Sequence, residues 1–98
     1  MNTHIFKYII PILNHFSISI PIDAKILTLQ LLELSPVIWI EVNPVYKRTL
    51  RYFQFIPTGG KIPQNSIYIG TIQTEELVYH LYDLGYSPES IFPPNTNA

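Results

Sequence analysis

The chain contains no cysteine and few charged residues, and both shortages limit what it can do. Without cysteine it has no disulfide, no thiolate metal ligand and no cysteine nucleophile, so a hydrophobic core must hold the fold unaided. This composition fits an intracellular, cytoplasmic location best. Charged residues make up 13% of the 98 residues and hydrophobic residues 47%. We therefore expect a folded chain with a partly neutral surface, one that favours self-association into a homo-oligomer.

A long apolar run is also lacking. The segment from Tyr8 to Leu13 is interrupted by Pro11 and followed by polar residues, and it is far shorter than the ~20 residues of a membrane-spanning helix. It is equally a poor match to a signal peptide. The net charge of −1 argues against general attraction to polymeric nucleic acid or to membrane surfaces. We expect the segment to be a strand, and we expect neither kind of partner.

The few charges are unevenly distributed. Between Glu41 and Glu75 there is no acidic residue, and all four charged residues are basic: Lys47, Arg48, Arg51 and Lys61. All seven acidic residues lie in the flanking segments. Such segregation predicts an anion-attracting face in the middle third of the chain. Four scattered, solvated charges would give the same sequence pattern.

Short runs of β-branched and aromatic residues, separated by Pro, Gly and Asn, dominate the chain. Such runs are typical of strands and turns. They predict seven strands: Thr3 to Ile10, Phe16 to Ile20, Lys25 to Leu32, Val37 to Asn43, Thr49 to Ile56, Ile67 to Thr74 and Leu77 to Tyr82. The predicted fold class is all-β and predominantly antiparallel, a small compact barrel or sandwich of about six to seven strands. We expect one domain over residues 1–86 and a short C-terminal turn and tail over residues 87–98.

Two segments allow a helix. Ala24 to Leu34 carries apolar residues at helical spacing as well as at a spacing of two. We favour a strand there because a spacing of two would place Lys25, Leu27, Leu29 and Leu31 on one face, and because Pro21 and Pro36 lie close to the ends of the segment. The second is Ser87 to Ser90, where a serine precedes Pro88 in the manner of a helix N-cap, so a short helical turn is expected.

Catalytic and metal-binding patterns are scarce. No two of the three histidines have metal-ligand spacing, and His80 shares a predicted strand face with Val78 and Tyr82, which favours a packed or hydrogen-bonded histidine. Glu75 and Glu76 lie in a predicted turn and would point in opposite directions if the strand continued through them. No nucleophile elbow or nucleotide-binding fingerprint is present. We expect neither a metal, nor a cofactor, nor an enzymatic activity.

The most distinctive segment runs from Pro57 to Lys61. Its two glycines, Gly59 and Gly60, allow backbone amides to converge on an anion, and Thr58 and Lys61 would add a hydroxyl and a charge. An ordinary hairpin loop is the simpler interpretation.

Aromatic residues are plentiful, with seven Tyr, five Phe and one Trp. Tyr and Trp combine a flat face with a polar group, which suits nucleobases and interfaces. Trp39 points away from the apolar face of its strand, and either a second buried layer, an oligomer contact or a ligand site would explain this.

In order along the chain, a set of short motifs resembles a small phage-encoded family catalogued as a domain of unknown function. The set comprises Phe6-Lys7-Tyr8, Ile20-Pro21, Ala24-Lys25-Ile26-Leu27, Gln30, Trp39, Val42-Asn43-Pro44, Arg51, Phe53, Thr58-Gly59, Ile62-Pro63, Tyr68-Ile69-Gly70-Thr71, Gln73 and Leu77-Val78-Tyr79-His80. Members of that family usually carry His after Thr-Gly, where this chain has Gly60. The family in turn looks similar to phage anti-CBASS sponge proteins, which sequester cyclic nucleotide signals of bacterial immunity.

Together these observations predict a non-enzymatic binder of a cyclic nucleotide, an immune-evasion function of a phage. Its phosphates would meet Lys47, Arg51 and Lys61 and the donors of Thr58, Gly59 and Gly60. Its bases would stack on Trp39, Tyr52 or Tyr79 and be read by Gln30 and Gln73, at sites formed between subunits. The alternatives are a protein-interaction module that inhibits a host protein and, third, an enzyme that cleaves a nucleotide.

Overall fold

The computed structural model describes residues 2–86, which form seven β-strands and no helix. The strands are β1 (His4–Ile9), β2 (His15–Pro21), β3 (Lys25–Leu32), β4 (Ser35–Val42), β5 (Arg48–Pro57), β6 (Ile67–Gln73) and β7 (Val78–Gly85). Every predicted strand is present, with ends displaced by at most three residues. The helical turn and tail predicted for residues 87–98 lie outside the described residues.

The strands form two antiparallel sheets. One has three strands in the order β1-β4-β3, and the other has four in the order β2-β5-β7-β6. The all-β, antiparallel prediction is therefore confirmed, and of the two architectures allowed by the sequence the structure is a two-sheet sandwich.

The hydrophobic core lies between the two sheets. On β4, Ile38, Ile40 and Val42 are buried, while the alternate residues Trp39 and Glu41 are partly exposed. The four-stranded sheet contributes its own alternating set to the same cluster: Phe16, Ile20, Phe53, Phe55, Ile72 and Leu81. The period-two pattern of the sequence thus becomes two apolar faces packed against each other.

A β-bulge explains why β3 was ambiguous in the sequence. The pairing with β4 shifts register between Ile26 and Thr28, so Leu27 is the extra residue and points away from the core. Ile26 and Leu29 consequently face the same core at a spacing of three, which imitates a helix. The strand prediction is confirmed, but the predicted grouping of Leu27 with Leu29 on one face is wrong.

Two backbone features explain why the ends of some strands differ from the predicted ends. β3 and β4 are joined by Glu33 and Leu34, which both have positive φ values of 47° and 76°, the conformation of a tight type I′ hairpin turn. This turn lets Pro36 enter the start of β4, where a proline is tolerated. At the other end of the chain, β7 runs on to Gly85 because its residues continue to pair with β5.

The two sheets approach each other closely where β3 meets β6. A Cβ atom on Gly70 of β6 would lie 3.1 Å from Cβ of Leu29 on β3. Glycine at this position therefore sets how closely the two strands can pack.

Candidate functional site

The outer face of the four-stranded sheet carries a row of polar and aromatic side chains centred on His80. The strand register places His80 of β7 between Ile56 of β5 and Thr71 of β6. Tyr82 follows two residues later on the same face, opposite Tyr68 of β6. The rings of Tyr68 and Tyr82 meet edge to face with centroids 5.6 Å apart.

Both ring nitrogens of His80 are hydrogen-bonded to threonine hydroxyls. Nε2 lies 2.9 Å from Oγ1 of Thr58, and Nδ1 lies 2.9 Å from Oγ1 of Thr71. The Thr71 hydroxyl is also hydrogen-bonded to the hydroxyl of Tyr68. A hydroxyl can donate or accept a hydrogen bond, so these contacts can form with either tautomer of the ring, and together they hold the plane of the imidazole. The expectation of a hydrogen-bonded histidine is confirmed.

A shallow pocket of about 210 Å³ opens beside this imidazole. Its lining residues are Ile56, Pro57, Thr58, Gly59, Gly60, Ile62, His80 and Tyr82. The walls are mostly apolar, and the side-chain polar groups of the lining residues are the Thr58 hydroxyl, the His80 imidazole and the Tyr82 hydroxyl.

The Gly59-Gly60 segment is a tight turn that borders the pocket. Gly59 has φ of 95°, and the Gly60 amide donates to the carbonyl oxygen of Pro57 at 2.9 Å. The Thr58 amide donates to the carbonyl oxygen of Val78 at 3.2 Å. Two of the amides expected to converge on an anion are therefore already used within the fold, and the geometry is that of the ordinary turn. The Thr58 hydroxyl is the side-chain polar group that this motif contributes to the residues lining the pocket.

Gly60 cannot be replaced without rearrangement. A Cβ atom there would lie 2.5 Å from Cγ2 of Ile56 and 3.0 Å from the carbonyl oxygen of Pro57. The absence of a side chain at this position therefore leaves room for Ile56 to line the pocket.

Arg51 was predicted to meet phosphate, but it points into the interior of the protein. Its Nε and NH2 groups donate to the two carboxylate oxygens of Asp83 at 2.9 and 2.6 Å, and NH1 donates to the carbonyl oxygen of Ala24 and to the hydroxyl of Tyr86, both at 2.9 Å. Its side chain is only 12% exposed. Burial acts to lower the pKa of Arg51, but the hydrogen bonds and charge of Asp83, with help from Tyr86, raise it overall. The guanidinium is thus a permanently charged clamp between strands, with little left to offer a ligand.

The predicted stacking residues do not converge. Tyr79 faces the core and packs edge to face on Phe55, with ring centroids 6.1 Å apart. Trp39 lies on the outer face of the three-stranded sheet, where its Nε1 donates to Oε1 of Gln30 at 3.0 Å. Trp39 and Gln30 are therefore on the opposite side of the sandwich from His80. Only Tyr52 is on the outer face of the four-stranded sheet, about 13 Å along β5 from Ile56.

The remaining predicted residues are similarly spread. Lys47 precedes β5 and Lys61 follows the turn after it, so the two lysines belong to opposite ends of a strand about 30 Å long. Lys61 directly follows Gly60 and is exposed. Gln73 lies on β6, two residues beyond Thr71 and on the same face. The structure therefore brings Thr58, Gly59 and Gly60 together at the pocket, with Lys61 adjacent in sequence.

Sequence reasoning did not assign Ile56, Ile62, Thr71, Tyr68, His80 or Tyr82 to a site. Alternation along β7 does place His80 and Tyr82 on one face. What the sequence lacks is the register that brings Thr71 and Thr58 to the two sides of the imidazole, since Thr71 lies on β6 and Thr58 lies in the turn after β5.

Two further findings concern the described residues as a group. Residues 2–86 contain no cluster of three or more His, Asp or Glu side chains that could hold a metal ion. No helix in that part of the chain is long and apolar enough to cross a membrane.

Comparison with known proteins places this chain by family. No curated protein and no solved structure matches it. The sequence model of one family matches residues 1–90, nearly the whole chain. The chain therefore belongs to the family described as a domain of unknown function (DUF7352).

Proposed function

We propose that the protein binds a nucleotide-type ligand, a cyclic nucleotide signal above all, at the pocket beside His80, and holds it without cleaving it. The observation that carries this proposal is the oriented imidazole at an open, largely apolar pocket. Sequestration of an immune signal in the cytoplasm of a phage-infected cell is the role that the sequence resemblance suggests for such binding.

The size of the pocket limits how the ligand enters. At about 210 Å³ it is smaller than the ~300–1,000 Å³ of sites that enclose drug-sized molecules. One planar ring therefore enters, and the rest of the ligand lies along the sheet. Ile56, Ile62 and Tyr82 offer the ring apolar and aromatic surfaces, and the Thr58 hydroxyl pairs with its edge. A phosphate would meet Lys61, which follows Gly60 at the end of the turn.

The chemistry of the imidazole's neighbours supports retention of the ligand without cleavage. A histidine that takes a proton from a hydroxyl becomes an imidazolium, and enzymes of this kind stabilise it with a carboxylate. Here the second nitrogen of His80 contacts the neutral hydroxyl of Thr71, and none of the described pocket-lining residues is acidic. The arrangement suits hydrogen-bond recognition better than proton transfer.

Titration calorimetry against cyclic di- and trinucleotides and ADP-ribose derivatives tests the proposal. We expect binding by at least one of them and a loss of about 3–10-fold in affinity for Thr58→Val, which removes one hydrogen bond near the ring. Thr28→Val is the matched control, because Thr28 carries the same side chain on the other sheet. Absence of binding across the panel, or an equal effect of the two substitutions, would exclude this function.

A separate measurement tests whether the bound ligand stays intact. Mass spectrometry of nucleotide released from the heated protein should recover it intact. Degraded ligand would leave binding in place but would show that the protein is an enzyme.

A second candidate function is inhibition of a host protein through an apolar surface. It is favoured by the exposure of large hydrophobic side chains, among them Leu34, Val45 and Ile67. Recovery of a stoichiometric host protein from lysate, without co-purified nucleotide, would favour this function over the first.

A further inference from the structure

Strand β1 forms a free edge of the three-stranded sheet. It pairs with β4 on one side, and no other strand of residues 2–86 pairs with its other side. Unpaired strand edges attract other strands, and proteins usually protect them with polar side chains, prolines or bulges. The free edge at β2 has such protection, since Ser17 and Ser19 lie on its outer face and Pro21 ends it.

The edge of β1 is apolar instead. Ile5 and Ile9 are 66% and 69% exposed on its outer face, and Phe6 is exposed on the other face. Lys7 is the one charged residue of the strand. The exposed side chains thus lie on both sides of an unpaired backbone.

The direction of the backbone groups follows from one hydrogen bond. The Ile10 amide donates to the carbonyl oxygen of Pro36 at 3.0 Å, so the backbone of Ile10 points toward β4. Residues two apart in a strand point the same way, so Tyr8 and Phe6 also face β4. The N–H and C=O groups of Ile5, Lys7 and Ile9 therefore point outward from the edge.

We propose that β1 pairs with β1 of a second copy of this chain, antiparallel, around a twofold axis through Phe6. A self-pairing that matches outward groups and keeps the sheet faces continuous must be centred on a residue of β1. A centre at Tyr8 would set Ile5 opposite Pro11, which has no amide to donate, and this leaves Ile5, Phe6 and Lys7 as centres. Centring on Lys7 sets two ammonium groups directly opposite each other, which is unfavourable. Centring on Phe6 gives the longest ladder, since each Ile5 faces Lys7 of the other copy and each Ile9 faces its Thr3.

The same register satisfies both the apolar and the charged side chains. It sets the two Phe6 rings together at a closely spaced pair, where side chains contact best. Lys7 lies beside Ile5 of the second copy, which is itself paired with Glu41, so opposite charges come near each other on the outer face. The dimer is a continuous six-stranded sheet with an isologous interface. It does not depend on the pocket, which lies on the other sheet.

Single cysteines test the register, because the natural chain has none to interfere. Phe6→Cys should form a dimer-linking disulfide on mild oxidation, since paired residues on the axis have Cβ atoms about 4.5–5.5 Å apart. Lys7→Cys and Ile5→Cys, which would report the other two registers, should link far less. Preferential linking through position 7 or 5 would overturn the proposed axis.

Proline substitutions test the edge itself in the full-length protein. Lys7→Pro removes an amide that points away from β4, so it should keep the fold and shift the mass from twice 11.3 kDa to 11.3 kDa in light scattering. Tyr8→Pro is the matched control, because it removes an amide that faces β4 and should damage the fold. A folded Lys7→Pro protein that remains dimeric would refute the proposal, as would a natural chain that is monomeric throughout a dilution series.

Hydrogen exchange of the natural protein tests the same proposal if the Lys7→Pro variant does not fold. In the natural protein the amides of Ile5, Lys7 and Ile9 should be protected at high concentration and exchange faster on dilution. Protection that is independent of concentration would mean that another part of the same chain covers the edge, and would overturn the pairing with a second copy.

Discussion

Replacing Asp83 by alanine should be among the most damaging single changes to a polar residue of this protein. Asp83 is 5% exposed, and its carboxylate accepts two hydrogen bonds from Arg51 and one from the Gly85 amide. Its removal leaves a buried guanidinium without its counter-ion. Breaking a buried pair in this way costs about 3–5 kcal/mol. We expect about 3 kcal/mol, the lower end, because Arg51 keeps its bonds to Ala24 and Tyr86 and some contact with water.

Urea denaturation at one fixed protein concentration measures this cost. With a slope near 2 kcal/mol per molar, a loss of about 3 kcal/mol lowers the midpoint by roughly 1.5 M. The informative control is the double replacement of Arg51→Met with Asp83→Leu, which removes both charges and should cost less than Asp83→Ala alone. Tyr86→Phe should cost about 1 kcal/mol, since it removes a single exposed hydroxyl. Two results would refute the stabilising role of the Arg51–Asp83 pair. One is a cost below about 1 kcal/mol for Asp83→Ala, and the other is a double replacement that destabilises the protein more than Asp83→Ala does.

Two other substitutions probe the packing between the sheets. Gly70→Ala should destabilise by about 1–2 kcal/mol, because the new Cβ would crowd Cβ of Leu29 at 3.1 Å and neither strand can move freely; an unchanged thermal midpoint would contradict the close approach of β3 and β6. Phe53→Ala should cost about 3–5 kcal/mol, because this ring is fully buried. Leu50→Ala on the same strand is exposed and should stay within about 0.5 kcal/mol. Equal losses at positions 50 and 53 would mean that the faces of β5 are assigned incorrectly.

The strands could be predicted because each carries a short apolar pattern bounded by turn-forming residues. Phe16 and Ile20 alternate with serines, and this pattern identifies both the strand and its buried face. The sequence could not show where an extra residue enters a ladder. The bulge at Leu27 breaks the alternation of β3 in the same way as a helical period would, so the pattern by itself gave two readings.

The candidate site was harder to predict because the type of a residue does not show which way its side chain points. Arg51 is a good phosphate ligand by type, but it shares a strand face with Phe53 and Phe55, and that face is the core. Its partner Asp83 shares a face with Leu81 in the same way. Alternation along both strands therefore contained the evidence for a buried ion pair. The basic segment without acidic residues predicts a single anion-attracting face, but Lys47 and Lys61 belong to opposite ends of β5.

His80 shows which information only the fold supplies. Its two hydroxyl partners come from the turn after β5 and from the middle of β6, at sequence separations of 22 and 9 residues. No spacing rule connects threonines and a histidine across three strands, and a shift of one residue in the β6–β7 register would turn Thr71 to the core. The bulge between Tyr68 and Gly70 places both Tyr68 and Thr71 on the outer face, three residues apart. The hydrogen-bonded chain beside the pocket therefore depends on that irregularity, and so would any ligand recognition by His80.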